Sequence, residues 1–225
     1  GTIVVTGATG GLGKAIVQRM KQLDHHFEAV LTVRSLSSVK GNDLRASLGE
    51  DKRFCIWQLD LENLESVRTF SMSLRIYISS GQMKPITAII CNAGFMSRLR
   101  PKSTQDGYER AFQINYLGHF LMVNSLLPAV ARHHCRVVFV TSFTHDPTCL
   151  RAKLLPLPQK LWVETELMIR PPVPRRNSTR VGFAIYARSK MCLMMFMHAL
   201  QEQLDQSAQF QNIAILAVDP GFVGA

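Results

Sequence analysis

The chain has 225 residues, is 47% hydrophobic and carries a formal charge of +10. That length and apolar content suit one α/β domain with a substantial core, and no apolar run reaches the roughly 18–20 residues that span a bilayer. Half of the basic excess lies between Pro147 and Val181, where seven basic residues meet two acidic ones without aromatic interleaving. This argues against nucleic acid and leaves an anionic cofactor or a weakly held membrane surface as partners.

The first fifteen residues organise the rest. Ile3, Val4 and Val5 form a β-branched run, four glycines follow at positions 7, 10, 11 and 13, and Leu12, Ala15, Ile16 and Met20 recur at helical spacing up to about Asp24. Strand, glycine turn and helix together cradle a pyrophosphate, because the backbone can approach the phosphates and the helix N-terminus offers N–H groups. A tight turn with no ligand is the alternative. The dinucleotide fingerprint G-x-G-x-x-G is absent; Gly7, Gly11 and Gly13 fit T-G-x-x-x-G-x-G, and Gly7, Gly10 and Gly13 fit T-G-x-x-G-x-x-G.

A second strand over about 27–33 ends at Arg34, followed by Ser35, Ser37 and Ser38. A carboxylate at that strand end would favour NAD; a guanidinium forks onto a 2′-phosphate and favours NADP(H), unless Arg34 is only an exposed loop residue. A third strand over 55–59 ends at Asp60, which can cap the helix carrying Leu64, Val67, Phe70 and Leu74 or accept from an adenine amino group. Ile86 to Cys91 form a fourth strand, with the small residues Asn92-Ala93-Gly94 at its end. From Thr104 or Asp106 to Arg132 the pattern is helical, with Asn115 inside it, where its amide needs partners. A fifth strand over 136–140 leads to Thr141-Ser142.

An irregular, proline-rich arm at about 145–181 follows, with a short helix around 160–169. A helix over 183–204 carries Tyr186 and Lys190 one turn apart on one face, and a sixth strand over 213–218 ends in Asp219-Pro220-Gly221. The alternation predicts a Rossmann-type, doubly wound parallel sheet in three α/β/α layers, one domain over 1–225 with a long insertion before the last helix. Five cysteines, odd in number and without C-x-x-C spacing, predict reduced thiols in a cytoplasmic protein; no metal site is expected, and the histidine pairs at 25–26 and 133–134 read as surface residues. Asn177-Ser178-Thr179 matches a glycosylation sequon, read as coincidental because no secretory signal is visible. The chain opens without Met inside its first strand, so a few residues are expected to precede it.

Y-x-x-x-K alone is a common pattern. In order with Thr6 to Gly13, Asn92-Ala93-Gly94, Asn115, Ser142 and Pro220-Gly221, it resembles the short-chain dehydrogenase/reductase family over essentially the whole chain except the arm. Thr32-Val33-Arg34, the Thr144 to Pro147 corner and Val218 to Gly221 resemble fungal reductases and the retinol dehydrogenase and carbonyl reductase branches. The resemblance implies Asn115, Ser142, Tyr186 and Lys190 as catalytic residues. Tyr186 would be the proton donor, its pKa lowered by Lys190; Lys190 would also hold the nicotinamide ribose; Ser142 would bind the substrate oxygen; Asn115 would hold a water that passes protons towards Lys190.

It implies cofactor contacts from Thr6, Gly7, Thr9, Gly10, Gly11, Leu12, Gly13, Arg34, Asp60, Leu61, Asn92, Ala93, Gly94, Tyr186, Lys190, Pro220, Gly221 and Val223. The implied reaction is hydride transfer between NADP(H) and a carbonyl or alcohol, with apolar arm residues such as Leu155 and Trp162 suggesting a hydrophobic small molecule. Two departures stand out: Ala225 occupies the place of a cofactor-touching threonine, and the family's seventh strand and pocket-walling helices have no counterpart in these residues. A sugar-nucleotide epimerase or dehydratase and a non-catalytic NADP-binding protein are the competing readings.

Overall fold

The computed structural model describes all residues except 24–25, 98–99, 173, 175–177 and 222–225. Val223, Ala225, His25 and the sequon residue Asn177 therefore lie outside the described residues. Six strands, β1 (Thr2–Val5), β2 (Glu28–Val33), β3 (Phe54–Gln58), β4 (Ile86–Cys91), β5 (Cys135–Val140) and β6 (Ile213–Val218), pair in the order β3-β2-β1-β4-β5-β6. Every pairing is parallel. The order reverses between β1 and β4, so their carboxyl ends flank a crevice, the place where open α/β sheets bind ligands.

The strands are apolar on both faces because helices cover both. On β1, Val4 packs into the cluster that includes Val67 and Phe70 of α3 (Leu64–Ser79), Met122 and Val123 of α5 (Gly118–Leu126) and Leu193 of α7 (Thr179–Asp205). Its neighbour Val5 points the other way, into the cluster built on Val17 of α1 (Gly11–Lys21) and Leu44 of α2 (Val39–Leu48). This is the two-residue period of a strand, and each fully buried aliphatic side chain contributes about 1.5–3 kcal/mol. Among the described residues no helix is long and apolar enough to cross a membrane.

The expected strands all form, within one residue at either end. Helix boundaries depart more. The expected helix from Thr104 or Asp106 to Arg132 begins only at α4 (Arg110–Phe112), because a turn with Gly107 at φ 83 and a Gly107 N–H bond to Thr104 O occupies the preceding residues. It then widens into a π-helical segment (Gln113–Leu117) before α5, and Pro128 closes it in a 3-10 turn (Leu127–Ala129). The short arm helix is α6 (Thr165–Ile169), and α7 starts four residues before the expected Phe183. The sequence pattern gives no sign of α2; Ser38 caps it, its Oγ accepting from Gly41 N at 3.1 Å. Asp60 does not cap α3: Asn63 does, its Oδ1 accepting from Glu65 N and Ser66 N, while Asp60 Oδ1 accepts from Glu62 N.

Two buried titratable groups bear on stability. Glu109 is 2% exposed; its Oε2 accepts from Phe112 N at 2.8 Å, and its Oε1 has no partner among the described residues. Burial pushes its pKa from 4.5 up to about 7. His119 of α5, fully enclosed, is pushed by burial from 6.5 down to about 4. The native state holds the Glu109 proton to higher pH than the unfolded chain, so this group's contribution falls as pH rises from about 4.5 through 7. His119 acts in the opposite sense, its contribution falling as pH drops from about 6.5 through 4. Glu109→Gln keeps an acceptor for Phe112 N and removes the charge. Urea unfolding is expected to show it gaining about 2–3 kcal/mol on the parent between pH 4.5 and 8; a pH-independent difference would contradict the buried charge.

Candidate active site

The site begins where β1 runs into α1. Gly7 turns the chain with φ 67, and a Cβ there would sit 2.8 Å from Ala93 Cα. A Cβ on Gly13 would collide with Gly7 O, so α1 can start against this turn only because Gly13 has no side chain. The N-cap of α1 is Gly10, which offers no side-chain acceptor. The first N–H groups of the helix are therefore left for another partner, and Gly10 to Gly13 line a cavity.

That cavity, about 730 Å³, follows the carboxyl edge of the sheet. It collects Gly7, Thr9, Gly10, Gly11, Leu12 and Gly13 from the first turn, Arg34 from the end of β2, Asp60 and Leu61 after β3, and Asn92, Ala93 and Gly94 after β4. Ser142, Tyr186, Lys190, Pro220 and Gly221 complete the set. Two residues expected at the site do not line it. Thr6 is fully buried beneath the turn: its Oγ1 accepts from Ala93 N at 3.0 Å and meets His119 Nε2 at 2.9 Å. Asn115 is also fully buried.

Asn115 is expected from the sequence to hold a water, but its side chain is committed elsewhere. Its Oδ1 accepts from Phe95 N at 2.7 Å, and its Nδ2 donates to Phe95 O and to Ser189 Oγ, both at 2.9 Å. Both amide protons are thus used in clamping the turn after β4 to α7. The neighbouring turn is pinned as well, because Asn92 Nδ2 donates to Thr6 O at 2.9 Å and to Gly7 O at 3.1 Å.

On α7, Lys190 is 3% exposed and Nζ donates to Val140 O at 2.7 Å. Its ammonium lies 5.7 Å from the centroid of the Tyr186 ring. Burial lowers the Lys190 pKa from 10.5 to about 8. Tyr186 does not show the lowering expected from Lys190. Burial pushes its phenol upward, opposed by a hydrogen bond with Ser142. Ser142 Oγ also accepts from Thr144 Oγ1 at 3.1 Å and Thr144 N at 3.3 Å, which fixes it at the start of the 3-10 turn after β5.

Sequence reasoning misses Lys40, in the first turn of α2, which lines the same cavity as Arg34. Its signal is the N-cap Ser38 two residues earlier, but α2 has so little apolar periodicity that the pattern marks no helix start there. The apolar end of the cavity, formed by Phe95, Met96, Phe143 and Phe183, is missed as well; Leu155 of the arm, which the sequence does single out, joins them.

A family model described as short chain dehydrogenase matches residues 1–148. The short-chain dehydrogenase iccH of Talaromyces variabilis is 28% identical over 98% of this chain and 69% of its own length. The polyprenol dehydrogenase of Danio rerio is 31% identical over 98% of this chain and 61% of its own length. The chain thus spans 61–69% of the length of these curated relatives. Among solved structures, NADPH-bound carbonyl reductase from chicken fatty liver superposes with a TM-score of 0.70 at 16% identity, covering 98% of this chain and 79% of that one. Likeness at that identity speaks for the fold, while the family model and the sequence relatives speak for descent: this chain belongs to the short-chain dehydrogenase/reductase family.

Proposed function

We propose that the chain is an NADP(H)-dependent oxidoreductase acting on a carbonyl compound or the corresponding alcohol, with an apolar substrate. The observation that carries this reading is the single cavity edge shared by the Gly7–Gly13 turn, the Arg34/Lys40 pair and the Ser142–Tyr186–Lys190 group. Its nucleotide end fits a dinucleotide. The glycine turn leaves no room for Cβ atoms at Gly7 or Gly13 and presents α1's N–H groups. Arg34 and Lys40, both exposed and lining the cavity, would hold a ribose 2′-phosphate, and Asp60 would accept from the adenine amino group. The chicken carbonyl reductase carries bound NADPH, and a metagenomic short-chain oxidoreductase of the same fold is in complex with NADP.

When bound, the reduced nicotinamide supplies hydride. The chain's own residues handle the oxygen. Ser142, fixed by Thr144, positions the carbonyl oxygen and donates to it as charge develops. Tyr186 delivers the proton; it lines the cavity together with Ser142, so both hydroxyls can meet the same oxygen. Lys190, carrying its charge up to about pH 8 beside the Tyr186 ring, favours the phenolate left behind against the larger opposing effect of burial. Asn115 acts through its clamp on Phe95 and Ser189, holding the turn after β4 at a fixed distance from Lys190. Phe95, Met96, Phe143, Leu155 and Phe183 exclude water and select an apolar substrate.

Three outcomes follow. Tyr186→Phe is expected to cut NADPH oxidation by a panel of apolar ketones and aldehydes by about 100-fold or more while leaving the thermal midpoint near the parent's; NADPH binding with no turnover of the panel by the parent would instead mark a nucleotide-binding protein without activity. Arg34→Ala and Lys40→Ala should each weaken NADPH binding about tenfold by fluorescence titration and leave NADH affinity unchanged; equal losses for both nucleotides would sink the 2′-phosphate assignment. The rate of carbonyl reduction should decline as pH rises through about 8, where Lys190 loses its charge.

A further inference from the structure

His119 does not line the cavity, yet it joins the two halves of the site. Asn115 lies in the π-helical segment, where Gly118 N reaches back five residues to Gln113 O rather than four. One turn on, His119 Nδ1 faces Asn115 O at 3.3 Å, and its Nε2 faces Thr6 Oγ1 at 2.9 Å. A carbonyl oxygen only accepts, so Nδ1 carries the proton and Nε2 presents a lone pair. The Thr6 hydroxyl then donates to Nε2, its nearer partner, since its other acceptor, Ile90 O, lies at 3.4 Å. The same Thr6 oxygen accepts from Ala93 N at 3.0 Å. One directional path therefore runs from Ala93 N–H through the Thr6 hydroxyl and the His119 ring to the Asn115 carbonyl. It spans 113 residues between Thr6 and His119, inside a region from which water is excluded. A neutral imidazole keeps this direction: a protonated ring would donate from Nε2 and turn the Thr6 hydroxyl towards Ile90 O, and burial holds His119 neutral down to about pH 4.

We infer that His119 is a positioning residue that sets the distance between the Gly7 turn and the Asn115–Ser189–Lys190 side of the site through this path. Leucine or phenylalanine at 119 would fill the space but could not fix that distance, because apolar contact has no preferred direction. Asn115 already grips Phe95 and Ser189 through its side chain, and His119 gives its carbonyl a partner on β1 as well. The inference rests on the nucleotide reading of the cavity.

The test is a double-mutant cycle between Thr6 and His119. Thr6→Val removes the hydroxyl with little change of shape, and Thr6→Ser keeps it. His119→Asn retains a donor for the Asn115 carbonyl but cannot reach Thr6. Each variant is measured for NADPH affinity by fluorescence titration and, without nucleotide, for unfolding in urea. Thr6→Val and His119→Asn are each expected to raise the NADPH dissociation constant by about five- to tenfold, with Thr6→Ser within twofold of the parent. The double variant should exceed the worse single by less than twofold, the signature of one shared path. Multiplying losses, or coupling seen only in unfolding with nucleotide affinity unchanged, would overturn the positioning role. A parent chain that binds no NADPH would overturn the nucleotide reading and this inference with it, an outcome recognised before any variant is made.

Discussion

Two stretches of backbone touch at the carboxyl ends of β1 and β4, and the rest of the site takes its position from that contact. Gly7 approaches Ala93 more closely than any side chain would allow. The approach is locked from both directions: Asn92 donates into the carbonyls of Thr6 and Gly7, and Thr6 accepts from the Ala93 amide. Buried hydrogen bonds of this kind contribute only about 1 kcal/mol each, but an unmade one leaves a desolvated polar group, so the set holds together or fails together. The crevice at the strand-order reversal thus has a rigid floor, and the Tyr186 and Lys190 side chains of α7 are referred to it through Asn115.

The parts of this arrangement legible in the sequence are those whose reasons are local. Glycines crowded after a β-branched run mean a turn that a side chain would obstruct, and the fold places that obstruction at Gly7 and Gly13. Tyr186 and Lys190 fall on one helix face by spacing alone, and both reach the cavity. Runs such as Ile86 to Cys91 are apolar because helices bury both sides of the strand, so their extents can be read nearly to the residue. The two glycine spacings, by contrast, leave two families open, and the order of motifs along the whole chain, supported by the family match, decides between them.

The parts that are not legible depend on partners far along the chain. Asn115 stands out because a buried amide needs partners, but those partners, Phe95 and Ser189, lie 20 and 74 residues away, and through them its side chain clamps the turn after β4 to α7. His119 reads as one more position on an apolar helix face until Thr6 is placed against it. Lys40 depends on the start of α2, a helix held by its cap and by Leu44 and Leu48 rather than by a strong apolar stripe. The phenol of Tyr186 illustrates a different limit: sequence identifies the neighbouring cation, but burial, which pushes the other way, is a property of the folded whole.

The widened turn from Gln113 to Leu117 has a consequence for how this chain can tolerate change in length. A π-helical turn holds one more residue than the regular helix on either side. Deleting a single amino acid between Asn115 and His119 would let the backbone relax into an ordinary spiral, leaving the turns beyond on their present faces but bringing those two residues from four positions apart to three. Asn115 and His119 would no longer face their respective neighbours together. The irregularity therefore works as a counted surplus: one residue more than the helix needs, and the number that brings two distant strands into register with a single helical face.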